Sequence, residues 1–131
     1  MTIDEAIFVY QTNPARSTYE SMGDRLYPVQ LPQDPIYPAA TFQQIAAQLT
    51  DTGQSAPSDL EDALVQFDCY ALKHSQAKAL AKALRADLSG FRGNLGGLDV
   101  GAVHFQNEWD FWGAEAKVWR VTVEFRFLFN Q

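Results

Sequence analysis

The stretch Leu64–Gly93, LVQFDCYALKHSQAKALAKALRADLSGFRG, decides how this chain folds. Its first part alternates. Ala63, Val65, Phe67, Cys69 and Ala71 fall on one side of an extended segment, and Leu64, Gln66, Asp68 and Tyr70 fall on the other. The period then changes from 2 to 3.6. Ala77, Leu80, Ala81, Leu84 and Leu88 recur at the spacing of one apolar helix stripe, and its alanines allow close approach to a sheet. Ser75 is the expected N-cap, and Gly90 or Gly93 the expected stop. A strand running directly into an amphipathic helix, with no catalytic constellation beside either, points to a small α+β module that works through its surfaces.

Downstream, Lys117–Phe129 is the strongest strand. Trp119, Val121, Val123, Phe125, Phe127 and Phe129 share one side, and Arg120, Thr122, Glu124 and Arg126 share the other. A one-residue slip would turn every aromatic to water, so the register is well specified. Between these elements, Leu95–Gln106 is glycine-rich and then strand-like from Val100 to Phe105. Asn107–Ala116, with Trp109, Phe111, Trp112 and Gly113, reads as an aromatic connector.

Upstream, Thr2-Ile3-Asp4-Glu5 matches a capping box and opens a short helix to about Gln11. Asn13-Pro14 can start a second helical turn that Gly23 would end. Arg25-Leu26-Tyr27 reads as a short extended piece. Prolines 28, 32, 35 and 38 then mark loop or sheet edge, because proline lacks the N–H of a central ladder. Ala39–Leu49 reads as a strand of imperfect alternation. Thr50–Asp59, TDTGQSAPSD, is a polar connection longer than chain reversal requires, which predicts reach toward another molecule. The expected architecture is α+β: a mostly antiparallel sheet of about four to five strands, with one main helix and a short N-terminal helical segment on one face. The length of 131 residues suits a single domain over 1–131.

Charge and composition exclude several function classes. Apolar residues make up 47% and charged residues 20%, which is globular rather than disordered. No apolar run approaches a membrane span, and the acidic start MTIDEAIFVY lacks the basic region of a signal peptide. A single cysteine, Cys69, excludes an internal disulfide framework and fits a reduced cytoplasmic setting. The net charge of −6 speaks against tight phosphate binding; of the small basic group Lys73, Lys78, Lys82 and Arg85, the last three lie on the expected helix and read as its solvated face. An acidic surface would let nucleic acid pass without sticking.

Each candidate chemistry has a bland counterpart that fits better. His74 and His104 have no partners at metal-ligand spacing. Cys69 falls on the apolar side of its strand, where a thiol is a small hydrophobe. Gly93-Asn94-Leu95-Gly96-Gly97 lacks the Lys-Ser/Thr of a phosphate loop and reads as a turn. Asp51, Asp59, Glu61 and Asp62 lack calcium-loop spacing and read as solvated charge. No cofactor or metal is expected. The residues that stand out are surface candidates for a subunit or partner interface: Asp51, Gly53, Gln54, Ser55 and Asp59 in the long connection, Trp109, Phe111 and Trp112, and Arg120 and Arg126. Trp109, Phe111 and Trp112 either fold back onto the core or act as interface anchors. The two arginines are placed to pair with Glu124 or with carboxylates on a neighbouring strand.

Three segments carry a family resemblance. The run Asp24-Arg25-Leu26-Tyr27-Pro28-Val29-Gln30-Leu31-Pro32-Gln33, followed by Tyr37-Pro38-Ala39, is similar to the opening of the tail-completion, or tail-terminator, proteins of tailed phages. The strand Val65–Ala71, the alanine-rich helix Gln76–Leu88 and the close Gly90-Phe91-Arg92-Gly93 resemble the middle of the same family. The final Arg-Val-Thr-Val-Glu-Phe-Arg-Phe alternation resembles its last strand. Together these cover most of the chain from Asp24 onward.

The resemblance implies a non-enzymatic structural protein of the virion tail–neck region, assembled in the host cytoplasm. It implies a ring, commonly of six subunits, that caps the tail tube and stops its polymerisation. Its partners would be further copies of itself, the tube protein and a head-side connector, with DNA passing through the lumen and no membrane involved. A neck or head-completion adaptor is the alternative, ahead of a small cytoplasmic binding protein or an enzyme.

Overall fold

A computed structural model describes residues 1–49 and 60–130. The elements run α1 (Ile3–Gln11), α2 (Tyr19–Met22), β1 (Leu26–Pro28), β2 (Ala39–Leu49), β3 (Leu60–Ala71), α3 (His74–Leu88), β4 (Gly93–Leu95), β5 (Leu98–Gly113) and β6 (Val118–Asn130). All strands join one six-stranded sheet of order β1-β2-β3-β6-β5-β4. Only β1 and β2 are parallel; the other neighbours are antiparallel. The sheet is thus larger than the expected four to five strands and is mixed at its β1 edge. β1 corresponds to the short extended piece read at Arg25–Tyr27, and the strand not anticipated is β4, whose three residues are too few to show a period.

β3 and β6 form the centre in the expected register. Phe67 lies opposite Val123, Val65 opposite Phe125 and Ala63 opposite Phe127. These side chains are fully buried and continue into Ala77, Leu80, Ala81, Leu84 and Leu88 of α3. Burying each large one contributes about 1.5–3 kcal/mol. Aromatic rings meet edge-on within this layer, with Phe67–Phe125 centroids 5.7 Å apart at 85°. Cys69 is buried among them, and burial, with Asp68 and Glu108 adding to it, pushes its thiol well above the ordinary range. A protonated, enclosed thiol is a packing group.

The helices cover one face only. α3 packs on β3, β6 and β5, α1 on β1 and β4, and α2 between α3 and β2. Thr2 and Glu5 form the expected capping box of α1, with Glu5 N–H donating to Thr2 Oγ1 at 3.1 Å. α2 is shorter than anticipated: the chain after Pro14 makes turns, and the helix starts only at Tyr19 before ending at Gly23, φ +58°. Buried Gln11 fastens this region, donating through Nε2 to Thr18 Oγ1 at 3.0 Å and to Asp87 Oδ2 of α3 at 3.1 Å. α3 begins two residues earlier than expected. Its N-cap is Lys73 rather than Ser75, with no side-chain capping bond, and Ser75 points to solvent inside the first turn.

The largest departure is β5. Asn107–Ala116 is no connector: β5 runs through to Gly113, and only residues 114–117 turn before β6. Two bulges hide this strand. The register shifts between Val100 and Ala102 and again between Phe105 and Asn107. Each bulge inserts one residue and reverses which parity faces the helices. Val103 and Phe105 therefore face α3 before Gln106, whereas Glu108, Asp110 and Trp112 do so after it. A third bulge, between Gln44 and Ala46, explains the broken alternation of β2. The Gly93–Gly97 segment makes the expected turn, and its first three residues also pair as β4, which was not anticipated. Asn94 Oδ1 accepts from Gly97 N–H at 2.8 Å, and Gly96 sits at φ +58° against the Ala6 carbonyl of α1, where no Cβ fits.

Candidate functional site

The parity switch at Gln106 divides the aromatic and acidic residues of β5 between two faces. On the helix side, Lys78 Nζ of α3 donates to Glu108 Oε2 at 2.7 Å and to Asp110 Oδ1 at 3.1 Å. His74 Nε2 meets Asp110 Oδ2 at 2.8 Å, and Arg85 lies 3.7 Å from Glu108. Hydrogen bonding from His74, and then from Lys78, holds the Asp110 carboxyl below its ordinary value against an opposing desolvation effect. The same contacts, Glu108 first, raise Lys78. Arg85 also lies over the Phe105 ring at 4.0 Å. Lys78 and Arg85 are therefore not merely a solvated face: they clamp α3 to the far half of β5, while Lys82 and Lys73 stay exposed.

The opposite sheet face carries no helix among the described residues. Asp62 on β3 accepts from Arg126 on β6 at 2.9 Å, so Asp62 belongs to a cross-strand pair rather than to solvated loop charge. Asp68 accepts from Thr122 Oγ1 at 2.6 Å and from Gln66 Nε2 at 3.2 Å. Arg126 thus meets the expectation of a carboxylate on the neighbouring strand.

Arg120 behaves differently. Its guanidinium lies over the Phe111 ring at 4.3 Å, and its buried Nε has no hydrogen-bond partner among the described residues. Around it opens a groove of about 340 Å³, walled by Leu31, Tyr37, Tyr70, Phe111 and Trp112. Phe111 is 42% and Trp112 50% exposed, and Trp109 is half-buried with its ring 6.3 Å from Phe111. None of the three joins the buried core cluster. The three rings thus do not fold back into the core: Phe111 and Trp112 are exposed and Trp109 is half-buried. Trp112 also meets Trp119 at 4.9 Å, and Trp119 meets His74 at 4.7 Å, so the groove wall is braced from the helix side.

Phe111, Trp112 and Arg120 come together in this groove, with Trp109 beside it and Arg126 farther along the same face. Asp51, Gly53, Gln54, Ser55 and Asp59 lie outside the described residues. Sequence reading missed Leu31, Tyr37 and Tyr70. The prolines around Leu31 and Tyr37 signalled only loop, and Tyr70 showed only as the polar side of β3. Among the described residues, no group of three His, Cys, Asp or Glu side chains is placed to hold a metal ion, and no helix is long and apolar enough to cross a membrane.

No curated protein matches the chain. Among solved structures, a chain from "Virion of native gene transfer agent (GTA) particle" superposes with a TM-score of 0.66 at 19% identity, covering 97% of this chain and 94% of that one. At that identity the likeness is one of fold. The family model described as "Tail completion protein gp17" matches residues 15–130, which span the whole sheet, α2 and α3. The chain belongs to the tail completion protein gp17 family, and it is a structural, non-enzymatic protein of the phage virion.

Proposed function

We propose that this protein is a tail terminator: a ring, of six copies, that seats on the end of the tail tube, stops its polymerisation and offers a joint to the head-side connector while DNA passes through the lumen. The observation that carries this reading is the groove at Arg120. A strand pair displays Phe111 and Trp112 to solvent beside a cation whose Nε lacks an acceptor among the described residues. Aromatic and arginine side chains of this kind are the usual anchors of protein–protein contacts. An apolar surface of this sort is costly to leave uncovered.

In this reading Trp109, Phe111, Trp112 and Arg120 meet a partner protein, and Arg126 braces the face through Asp62. The connection carrying Asp51, Gly53, Gln54, Ser55 and Asp59 reaches to a neighbour. The whole chain acts as one unit in the ring. A ring of identical copies needs two different, complementary surfaces on each copy.

The test is tube assembly. Purified tube protein is polymerised with and without this protein, and tube length and end structure are read by negative-stain electron microscopy. Terminated tubes with a ring on one end are expected. Unaltered tube lengths with bare ends would refute the proposal.

A further inference from the structure

The sheet has two unpaired edges, and they fit one another. On β2, β1 occupies only Ala40–Phe42, so the outward backbone from Gln43 to Leu49 has no backbone partner among the described residues. On β5, β4 occupies only Leu98–Val100 and Gly90 N–H takes the Val103 carbonyl at 2.9 Å. From His104 to Asp110 and on to Trp112, the outer edge of β5 has no backbone partner among the described residues. Such edges are ordinarily protected by lysine, proline, inward charge or a bulge. Gln43–Ala46 carries no lysine, proline or charge, and the inward carboxylates of β5, Glu108 and Asp110, are matched by Lys78, His74 and Arg85 of α3; each edge keeps one bulge, at Gln44–Ala46 and at Phe105–Asn107, so any pairing of the two edges has to accommodate both.

The two short guard strands sit at opposite ends of the sheet. Following the register across β3 and β6, Ala40 is level with Asp110, Gln43 with Asn107, and Ala46 with His104. The free stretch of β2 therefore overlaps the free stretch of β5 in the rows around Gln43–Ala46 and His104–Asn107.

Direction fits as well. The path β2-β3-β6-β5 contains three antiparallel steps, so β5 runs opposite to β2. Copies repeated head to tail about an axis along the strands keep one strand direction. The outer edge of β5 in one copy then meets β2 of the next in antiparallel sense, the more stable ladder. Resting on the ring reading above, we infer that the occupant of each edge is a second copy of this chain: β5 at His104–Asn107 pairs with β2 at Gln43–Ala46 of the next protomer, so that the sheets join into one continuous wall. All helix-free faces then point the same way, and the Arg120 groove, at the ends of β5 and β6, lies near one rim of the wall.

Paired cysteines test this. The double variants Gln43→Cys with Asn107→Cys, and Ala46→Cys with His104→Cys, place thiols on the helix-free face of both edges; Cys69 is buried and stays out of the reaction. Protein alone, and protein seated on tubes of purified tube protein, is oxidised with copper–phenanthroline. It is read on non-reducing gels, with mass measured by analytical ultracentrifugation. A ladder ending in a closed species for at least one double variant, and none for the single variants, is expected. Dimers from Asn107→Cys alone would overturn the inference in favour of a two-fold β5–β5 contact. Closed rings by mass without a ladder would overturn the edge pairing and leave the ring standing. Monomers in both conditions, with tube length unaffected, would remove the ring reading and the inference together. Hydrogen exchange on the wild-type chain provides the check that needs no variant. Amides of 43–46 and 104–107 are expected to slow about tenfold or more when rings form. Unchanged exchange there in a measured ring would equally overturn the pairing.

Discussion

Replacing Phe125 with alanine tests the assignment of faces on which every surface argument depends. Phe125 is fully buried at the centre of the sheet. Its ring meets Phe67 at 5.7 Å, Phe105 at 6.1 Å and Phe127 at 6.5 Å, all steeply inclined. Truncating a buried phenylalanine costs about 3–5 kcal/mol, the spread reflecting how far the site can collapse. Three strands and α3 frame this one, so collapse is limited. Each inclined ring contact adds about 0.5–1.5 kcal/mol beyond area burial. The loss is therefore expected in the upper half of the range, about 4–5 kcal/mol.

Against a total stability of about 5–15 kcal/mol, the variant is left marginal. In urea, with a slope of about 2 kcal/mol/M, the midpoint falls by about 2 M at unchanged slope, read by tryptophan fluorescence. Glu124→Ala, one residue away on the opposite face, is expected to cost under about 1 kcal/mol. A loss under about 1 kcal/mol for Phe125→Ala would mean that the helix side and the open side have been exchanged.

Further outcomes are expected. Gly96→Ala places a Cβ against the Ala6 carbonyl at a positive φ, so thermal denaturation should show a loss of about 2 kcal/mol or more, whereas Gly90→Ala, at φ +74° in open space, should lose only about 1 kcal/mol. Asp110 is held below its ordinary 3.8 in the fold, so its contribution is full above that value and fades as pH falls through the lowered one. Wild type should then exceed Asp110→Asn in stability at pH 6, with the gap closing in strong acid. Lys78, raised in the fold, loses its share only above 10.5 as pH rises through its raised value. Native protein should leave Cys69 unreacted with a thiol-exchange reagent at pH 8 and release one thiol per chain on unfolding; fast native labelling would refute its burial. Deleting Gly53–Pro57 should leave unfolding unchanged but impair assembly on tubes, and normal capping by that variant would show the connection to be slack.

The parts of this fold legible in the sequence are those with an uninterrupted period. β3, α3 and β6 each keep one apolar face from end to end, and all three lie where their patterns put them. β5 does not, because the bulges at Gly101 and Gln106 each reverse its alternation. Val103, Phe105, Glu108, Asp110 and Trp112 then share a face without sharing a parity. The same reversal concealed the clamp on Lys78, since nothing local says that Glu108 and Asp110 turn toward α3. The start of α3 was misplaced for another reason. Ser75 is the better capping side chain, but β3 ends at Ala71 and Lys73 is already in extended backbone, so the helix begins before the serine is reached. In the groove, the aromatics of β5 and Arg120 were visible as candidates. Leu31, Tyr37 and Tyr70 reach it only through tertiary contact across more than thirty positions of sequence between Tyr37 and Tyr70.

Gln106 acts as a crank in an otherwise straight shaft. If Gln106 instead entered the ladder and the rest of β5 slipped by one position against β6, Trp109 and Phe111 would swing beneath α3 and Glu108 and Asp110 would come out where those rings now stand. An oily, cation-bearing notch would become an acidic one, with the sheet itself still closed. For a protein whose partners are other virion proteins, the one residue held out of the ladder thus decides which chemistry is offered to them, and deleting Gln106 would straighten the strand without exchanging its faces.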